Sequence, residues 1–291
     1  MKLAQAVERF VEQLRANGCS IHTVRSYGMD LDRLMAFHGR NGAPIGTLTP
    51  DSLARFLNSP HARLAPGGFE RGAGTMNRQR TVLRSFGRWL YEAGHLRVNP
   101  ACTLRVKHHP PPPPRLIDQD EYGRLLKAMA EQDDPLAARD RLIVEVLAGV
   151  GIRISELVGL NVADLDLNSG RMRIHAKGGH DDARYVNHAL CARLAHTVAH
   201  NAPGAPVFAN SGGRRLTTRQ VSRRLEQWLR KAGIERKITP HVFRHTLASR
   251  LLERTGNLRL VQRALGHRSI MSTVRYAQLA DSALIAALEA I

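Results

Sequence analysis

The sequence predicts a mainly α-helical protein with a small antiparallel β-sheet or hairpin, an α+β chain in two domains. Three observations carry that reading. Apolar residues recur at helical spacing along most of the chain. Only the stretch around 171–186 alternates like strands and turns on a glycine pair. Five consecutive prolines, Pro110 to Pro114, interrupt the pattern once. Such a run favours a stiff polyproline II strut that no helix can cross. A length of 291 residues fits two such bodies. The expected division is a helical domain over 1–107, a proline-rich linker over 108–115 and a second domain over 116–291.

The first part reads as four helices. Leu3, Val7, Phe10, Val11 and Leu14 mark one apolar face, and Gly18 stops that helix. Ser20 can cap the next, whose face is Val24, Tyr27, Leu31, Leu34 and Met35. Thr49-Pro50 pairs a cap with a proline at the first helical position and opens a short helix through Leu57. A glycine-rich loop (Gly67, Gly68, Gly72, Gly74) precedes a fourth helix bearing Val82, Leu83, Phe86, Trp89 and Leu90, which Asn99-Pro100 closes. A small bundle results.

The second part is mixed. Helices are expected over 119–130 and 137–148. Arg171–Ala176 then forms a strand, Gly178-Gly179 turns the chain and Ala183–Val186 returns it. Helices resume near 189–199, 217–231, 241–253 and 258–265. Thr239-Pro240 repeats the cap-plus-proline start, and Gly266 ends its element.

Charge narrows the partner. Forty-three Lys and Arg stand against 25 Asp and Glu, a net +18. The excess is shared: 16 basic against 7 acidic residues lie before Pro110, and 27 against 18 from there on. Two basic bodies can close on a DNA duplex from both sides as a C-shaped clamp, since duplex DNA carries about one charge per 1.7 Å of axis. No apolar stretch approaches the ~20 residues that span a bilayer, and the charged amphipathic start is no signal peptide. Three scattered cysteines without a C-x-x-C suggest reduced thiols in a cytoplasmic protein.

Several residues could carry chemistry on a phosphate. In His241-Val-Phe-Arg244-His245, His241 and Arg244 share a helical face near an N-terminus, where the helix dipole favours an anion. His241 and His245 also have the spacing of a zinc pair, but no Glu intervenes as in H-E-x-x-H and no third ligand suggests itself, so no metal is expected. Arg153 follows a strongly apolar helix, with Glu156 three residues on. The two form either a structural ion pair or a second guanidinium oriented by a carboxylate. Lys177, one of six lysines among 37 arginines, stands at the hairpin tip. It is either an exposed turn lysine or a proton donor, a task for which an ammonium with an adjustable pKa suits better than a guanidinium. Singly, His267 reads as a capping histidine and Tyr276 as a packed aromatic. Together they offer a phosphate donor and a hydroxyl nucleophile, although a phenol of pKa ≈ 10 needs a base and strong cations nearby.

The order of these residues resembles the tyrosine recombinases, the phage-type integrases. The matching runs are G-I-R-I-S-E-L at Arg153, K-G-G at Lys177, H-V-F-R-H at His241 and Arg244, L-G-H at His267, and the terminal Tyr276. The resemblance spans about 115–280. The stretches S-I-H-T-V-R-S-Y and L-R-S-F-G-R-W-L add a likeness of the first domain to the SAM-like core-DNA-binding domain of the Xer subgroup. It implies that Arg153, Arg244 and His267 hold the scissile phosphate while Tyr276 attacks to form a 3′-phosphotyrosyl link. Lys177 would protonate the leaving 5′ oxygen, His241 would handle the tyrosine proton and Glu156 would support Arg153. No metal, nucleotide or other cofactor is implied. The implied partner is double-stranded DNA, bound by a homo- or hetero-tetramer on two paired sites, with room for an activator protein. Leu284, Leu288 and Ile291 share one helical face. In the family such a tail docks on a neighbouring subunit, the alternative being docking in cis.

One segment departs from the pattern. Where the family has basic residues and R-x-V-P-L, this chain has Asp181-Asp182-Ala-Arg184-Tyr-Val-Asn187-His. Two acids near a DNA-entering hairpin should weaken phosphate contact. The bundle starts at Leu3, which leaves no room for an arm-binding domain of roughly 60 residues. The expectation is therefore a minimal Xer-type enzyme of chromosome dimer resolution. The alternatives are a mobile-element integrase or transposase, a catalytically silent DNA-binding protein and a type IB topoisomerase.

Overall fold

The computed structural model describes residues 1–39, 42–106, 115–175 and 181–266. It divides into two compact units, Met1–Pro110 and Pro111–Ile291. Lys177, His267, Tyr276 and the tail with Leu284, Leu288 and Ile291 lie outside the described residues, as does nearly all of the expected linker.

The first unit holds helices α1 (Leu3–Ala16), α2 (Ile21–Phe37), α3 (Pro50–Asn58), α4 (Pro60–Arg63) and α5 (Ala73–Glu92). Gly18, at φ +68°, lets the chain reverse after α1. The Ser20 hydroxyl accepts from the Thr23 N–H at 3.0 Å and starts α2. Thr49 and Ser52 cap α3 reciprocally, at 3.1 and 2.9 Å. Phe10 sits at the centre, its ring 5.2 Å from Phe86, 5.5 Å from Trp89 and 6.5 Å from Tyr27. Leu31, Leu34, Phe56 and Leu83 complete this core.

Two expectations change here. The four-residue α4 escapes a reading by periodicity because it is barely one turn long. Helix α5 ends at Glu92, with Gly94 left-handed at φ +69°, rather than at Asn99-Pro100. The latter pair instead lays the chain back over Gly87, where a Cβ would come within 2.8 Å of Asn99 Oδ1 and 2.9 Å of Ala101 Cβ.

In the second unit come α6 (Gln119–Glu131), α7 (Ala137–Val150), α8 (Ile154–Gly159), strands β1 (Leu165–Asp166), β2 (Arg171–His175) and β3 (Asp181–Tyr185), then α9 (His188–Val198), α10 (Thr218–Lys231), α11 (Pro240–Thr255) and α12 (Leu258–Leu265). Helix α7 is the hub. Leu142, Ile143, Val144, Val146, Leu147 and Val150 are all buried, because α6, α9, α10 and α11 pack around it. Asp140 on α7 is buried with partners: it accepts from Trp228 Nε1 at 2.9 Å and Arg224 Nε at 2.6 Å on α10, and from Arg139.

The strands form one antiparallel sheet in the order β1-β2-β3, with Met172 opposite Arg184 and His175 opposite Asp181. Met172 and Ile174 point into the core and alternate with exposed neighbours. The two-residue β1 and six-residue α8 were not expected, both being too short to show a period. Thr239 precedes Pro240 as expected, but its hydroxyl makes no capping bond. Among the described residues, no helix is long and apolar enough to cross a membrane. The three cysteines are free.

Arg236 clips the start of α6 to the loop before α11. It donates to both oxygens of buried Glu121 and to the Leu116 carbonyl at 2.7 Å. These hydrogen bonds hold the Glu121 carboxyl at about 2, against the upward push of burial. A depressed carboxyl stabilises the fold in full above its ordinary value near 4.5, and that contribution fades as pH falls through about 2. Glu121→Gln is expected to lose about 1–3 kcal/mol at neutral pH. Urea unfolding at several pH values checks this: the difference from the parent should shrink below pH 4.5. A difference that does not vary with pH would contradict the assignment.

Candidate active site

The site begins where α7 stops. Gly151 takes a left-handed conformation at φ +68°, and a Cβ there would meet Leu247 at 2.8 Å and Leu265 at 2.9 Å. Glycine therefore lets α11 and α12 approach the end of α7 closely. The Gly151 carbonyl accepts from Arg244 Nη1, and the Leu265 carbonyl accepts from Nη2 at 2.9 Å. Arg244, only 4% exposed, is thus gripped by the carbonyl ends of two helices, α7 and α12, where the helix dipole favours a cation. Burial of Phe243, Thr246 and Ala248 on α11 fixes the side chain's origin.

Two residues past Gly151, Arg153 leads into α8. The Glu156 carboxylate accepts from the Arg153 N–H at 2.7 Å and from its Nη1 at 2.6 Å. One carboxylate thus starts the helix and holds the guanidinium, which remains partly exposed. His241 lies in the first turn of α11 at the surface. Its pKa is lowered by partial desolvation, then by the charges of Arg244 and Arg153, with Glu156 opposing. Arg153, Glu156, His241 and Arg244, 91 residues apart at their extremes, are therefore one electrostatic neighbourhood. Fixed cations beside a neutral imidazole can hold a phosphate and accept a proton next to it. The His241 and His245 rings stand 6.4 Å apart. No group of three metal-capable side chains occurs among the described residues.

Strands β2 and β3 show where the two unexpected acids go. Asp181 Oδ1 pairs with His175 Nδ1 at 2.8 Å, and His175 Nε2 meets Asp164 Oδ1 at 2.9 Å. Hydrogen bonds donated to Asp181, then to Asp164, favour the protonated ring and raise the His175 pKa. Asp182 Oδ2 pairs with Arg184 Nη1 at 2.7 Å. Both acids meet a cation or imidazole within the sheet, so their charge is not simply offered to an incoming phosphate. Sequence reasoning missed His175, Asp164 and the burial of Arg184. The available signal was the period-two inward position of Arg184 opposite Met172, which only a fixed register reveals.

The sequence comparisons fit this geometry. Residues 115–283 match the Phage integrase family, and residues 7–94 match the Phage integrase N-terminal SAM-like domain. The chain belongs to the phage integrase family, as a site-specific tyrosine recombinase of Xer type that cuts and rejoins DNA through a tyrosine. It is 34% identical over 289 residues to the tyrosine recombinase XerC of Vibrio parahaemolyticus serotype O3:K6, covering 95% of this chain and 89% of the relative. It is 33% identical over 281 residues to XerC of Xylella fastidiosa (strain M23), covering 95% and 93%. Among solved structures, XerA recombinase aligns at TM-score 0.52 and 27% identity, covering 97% and 96%. XerH bound to a palindromic difH substrate aligns at TM-score 0.75, covering 97% and 83%; at 19% identity this likeness speaks for the fold.

A lowered His241 pKa keeps the ring neutral at pH 7, where it can accept a proton. That capacity is present above the pKa and lost below it. The rate of covalent adduct formation should therefore show an acid limb with its midpoint under 6.5. His241→Ala should be slower and lack the limb. Single-turnover rates across this range test it, and a limb unchanged in the variant would reject the role.

Proposed function

We propose that this enzyme is the Xer recombinase of chromosome dimer resolution, and that Arg153, Arg244 and His267 hold the scissile phosphate for Tyr276. The convergence of two anchored guanidiniums on His241 carries this reading. In the proposed step the Tyr276 oxygen forms a bond to phosphorus as the bond to the 5′ oxygen breaks. His241 takes the phenolic proton, and Lys177 gives one to the departing 5′ oxygen. Arg153 and Arg244 neutralise charge on the non-bridging oxygens, the task preorganised cations perform best. Glu156 acts through Arg153. One phosphodiester is exchanged for another, so the link stores the energy for rejoining and no nucleotide or metal is called for.

Double-stranded DNA is the substrate, and each of the two basic domains (1–107 and 116–291) carries positive charge that can meet its phosphates. Near-full-length similarity to XerC relatives supports chromosome dimer resolution. In this proposal the enzyme acts as a tetramer on two paired sites, the tail carrying Leu284, Leu288 and Ile291 docking on a neighbour. A lambda integrase tetramer solved on a Holliday junction has the same fold. Such an enzyme works in the cytoplasm.

Covalent trapping tests the reaction. Nicked half-sites incubated with the protein should give an SDS-resistant protein–DNA adduct that Tyr276→Phe abolishes. No adduct, with salt-dependent binding intact, would instead indicate a silent DNA-binding protein.

Lys177→Ala should slow cleavage by about 100- to 10,000-fold, the range for a lost general acid. A substrate with sulfur in place of the bridging 5′ oxygen should restore most of the rate, because a thiolate leaves without a proton. Failure of sulfur to restore it would remove Lys177 from that role.

A further inference from the structure

We propose that Arg184, held by Asp182, is a positioning residue for Arg244: it braces the turn at Gly266 that presents the Leu265 carbonyl to the Arg244 guanidinium. The proposal rests on the phosphate-clamp reading above and deepens it. Arg184 lies on β3, far in sequence from α11 and α12, yet it is 2% exposed. Its Nη1 pairs with Asp182 at 2.7 Å and donates to the Ala183 carbonyl at 2.9 Å. The rest of the guanidinium abuts Gly266. A Cβ at Gly266 would overlap both the Arg184 guanidinium and the Asp182 carboxylate, and Gly266 is left-handed at φ +62°. The ion pair and the turn thus occupy adjoining space with no slack between them.

What the turn holds is functional. The carbonyl just before Gly266 accepts from Arg244 Nη2 at 2.9 Å, and the residue just after it is His267. A shift of the turn would move a direct ligand of one clamp residue and the attachment of another. As a stabilising device alone the pair is a poor one. Arg184 Nε is buried with no hydrogen-bond partner among the described residues, and a buried ion pair often does no better than an apolar replacement. Its placement against Gly266 accounts for a charge in that position. It also gives the Asp181-Asp182 departure a local consequence, because Asp182 orients Arg184.

The test uses the full-length protein on a nicked half-site, comparing Arg184→Gln, Arg184→Lys and Asp182→Asn. Arg184→Gln should slow single-turnover adduct formation by about 10- to 100-fold, the scale of an ångström-sized misplacement. Half-site affinity should change by less than about 2-fold, and Arg184→Lys should recover only part of the rate. A double-mutant cycle with Arg244→Lys separates positioning from general damage: the double variant should lie within about 3-fold of Arg244→Lys alone. Losses that multiply, or a parental rate in Arg184→Gln, would overturn the proposal. If Arg184→Gln melts out, the half-exposed Asp182→Asn carries the same cycle. Parental protein that forms no adduct would overturn the recombinase reading first, whereas an active parent with unaffected variants would overturn only the role of Arg184.

Discussion

A guanidinium almost cut off from water must find its hydrogen bonds inside the protein, and the way Arg244 does so organises the catalytic unit. Its two terminal nitrogens donate to Gly151 and Leu265 carbonyls, which close helices α7 and α12. Both helices turn on a left-handed glycine beside that carbonyl, and side chains at those glycines would strike Leu247, Leu265, Arg184 or Asp182. The apolar hub around α7 supplies the rigidity. The glycines supply the approach, and the negative ends of two helix dipoles stabilise the buried charge. A cation fixed in this way needs little reorganisation when a phosphate arrives, which is the condition for effective electrostatic catalysis.

The same logic separates the two arginines. Arg244 is immobilised by backbone carbonyls, whereas Arg153 is held by one carboxylate and stays partly exposed. Partial burial lowers the His241 pKa first, and the charges of Arg244 and Arg153 push it the same way, so the ring is neutral at pH 7. Around the hairpin, charges are matched locally. Asp164 serves His175 and Arg173, Asp181 serves His175, and Asp182 serves Arg184. The stem that leads to Lys177 is therefore built from ion pairs on a single layer of apolar residues, Met172 and Ile174.

Much of this was legible beforehand. Helices α1, α2, α3, α5, α6, α7 and α9 to α12 follow from period, caps and glycine stops, because each is long enough to show a face or carries a recognisable cap. The short elements α4, α8 and β1 were not legible, since six residues or fewer define no period. The end of α5 was misread at Asn99-Pro100 because a proline signals that no helix continues, not where the helix has already ended. The pairing of Glu156 with Arg153 could be read from spacing, as the capping position and the ion pair both need partners three positions apart.

By itself the sequence determined the helical character, the even spread of positive charge and the order of the motifs around Arg153, Lys177, His241, Arg244, His267 and Tyr276 that mark the family. These are local or additive properties. Tertiary structure decided that Arg244 is buried between two carbonyls, that Asp181 and Asp182 are met within the sheet, and that Arg184 abuts Gly266 some eighty residues away. Such facts depend on which strand register and which helix ends meet in space. Register is set by burial of Met172 and Ile174 over the whole unit, and no run of neighbouring residues contains it.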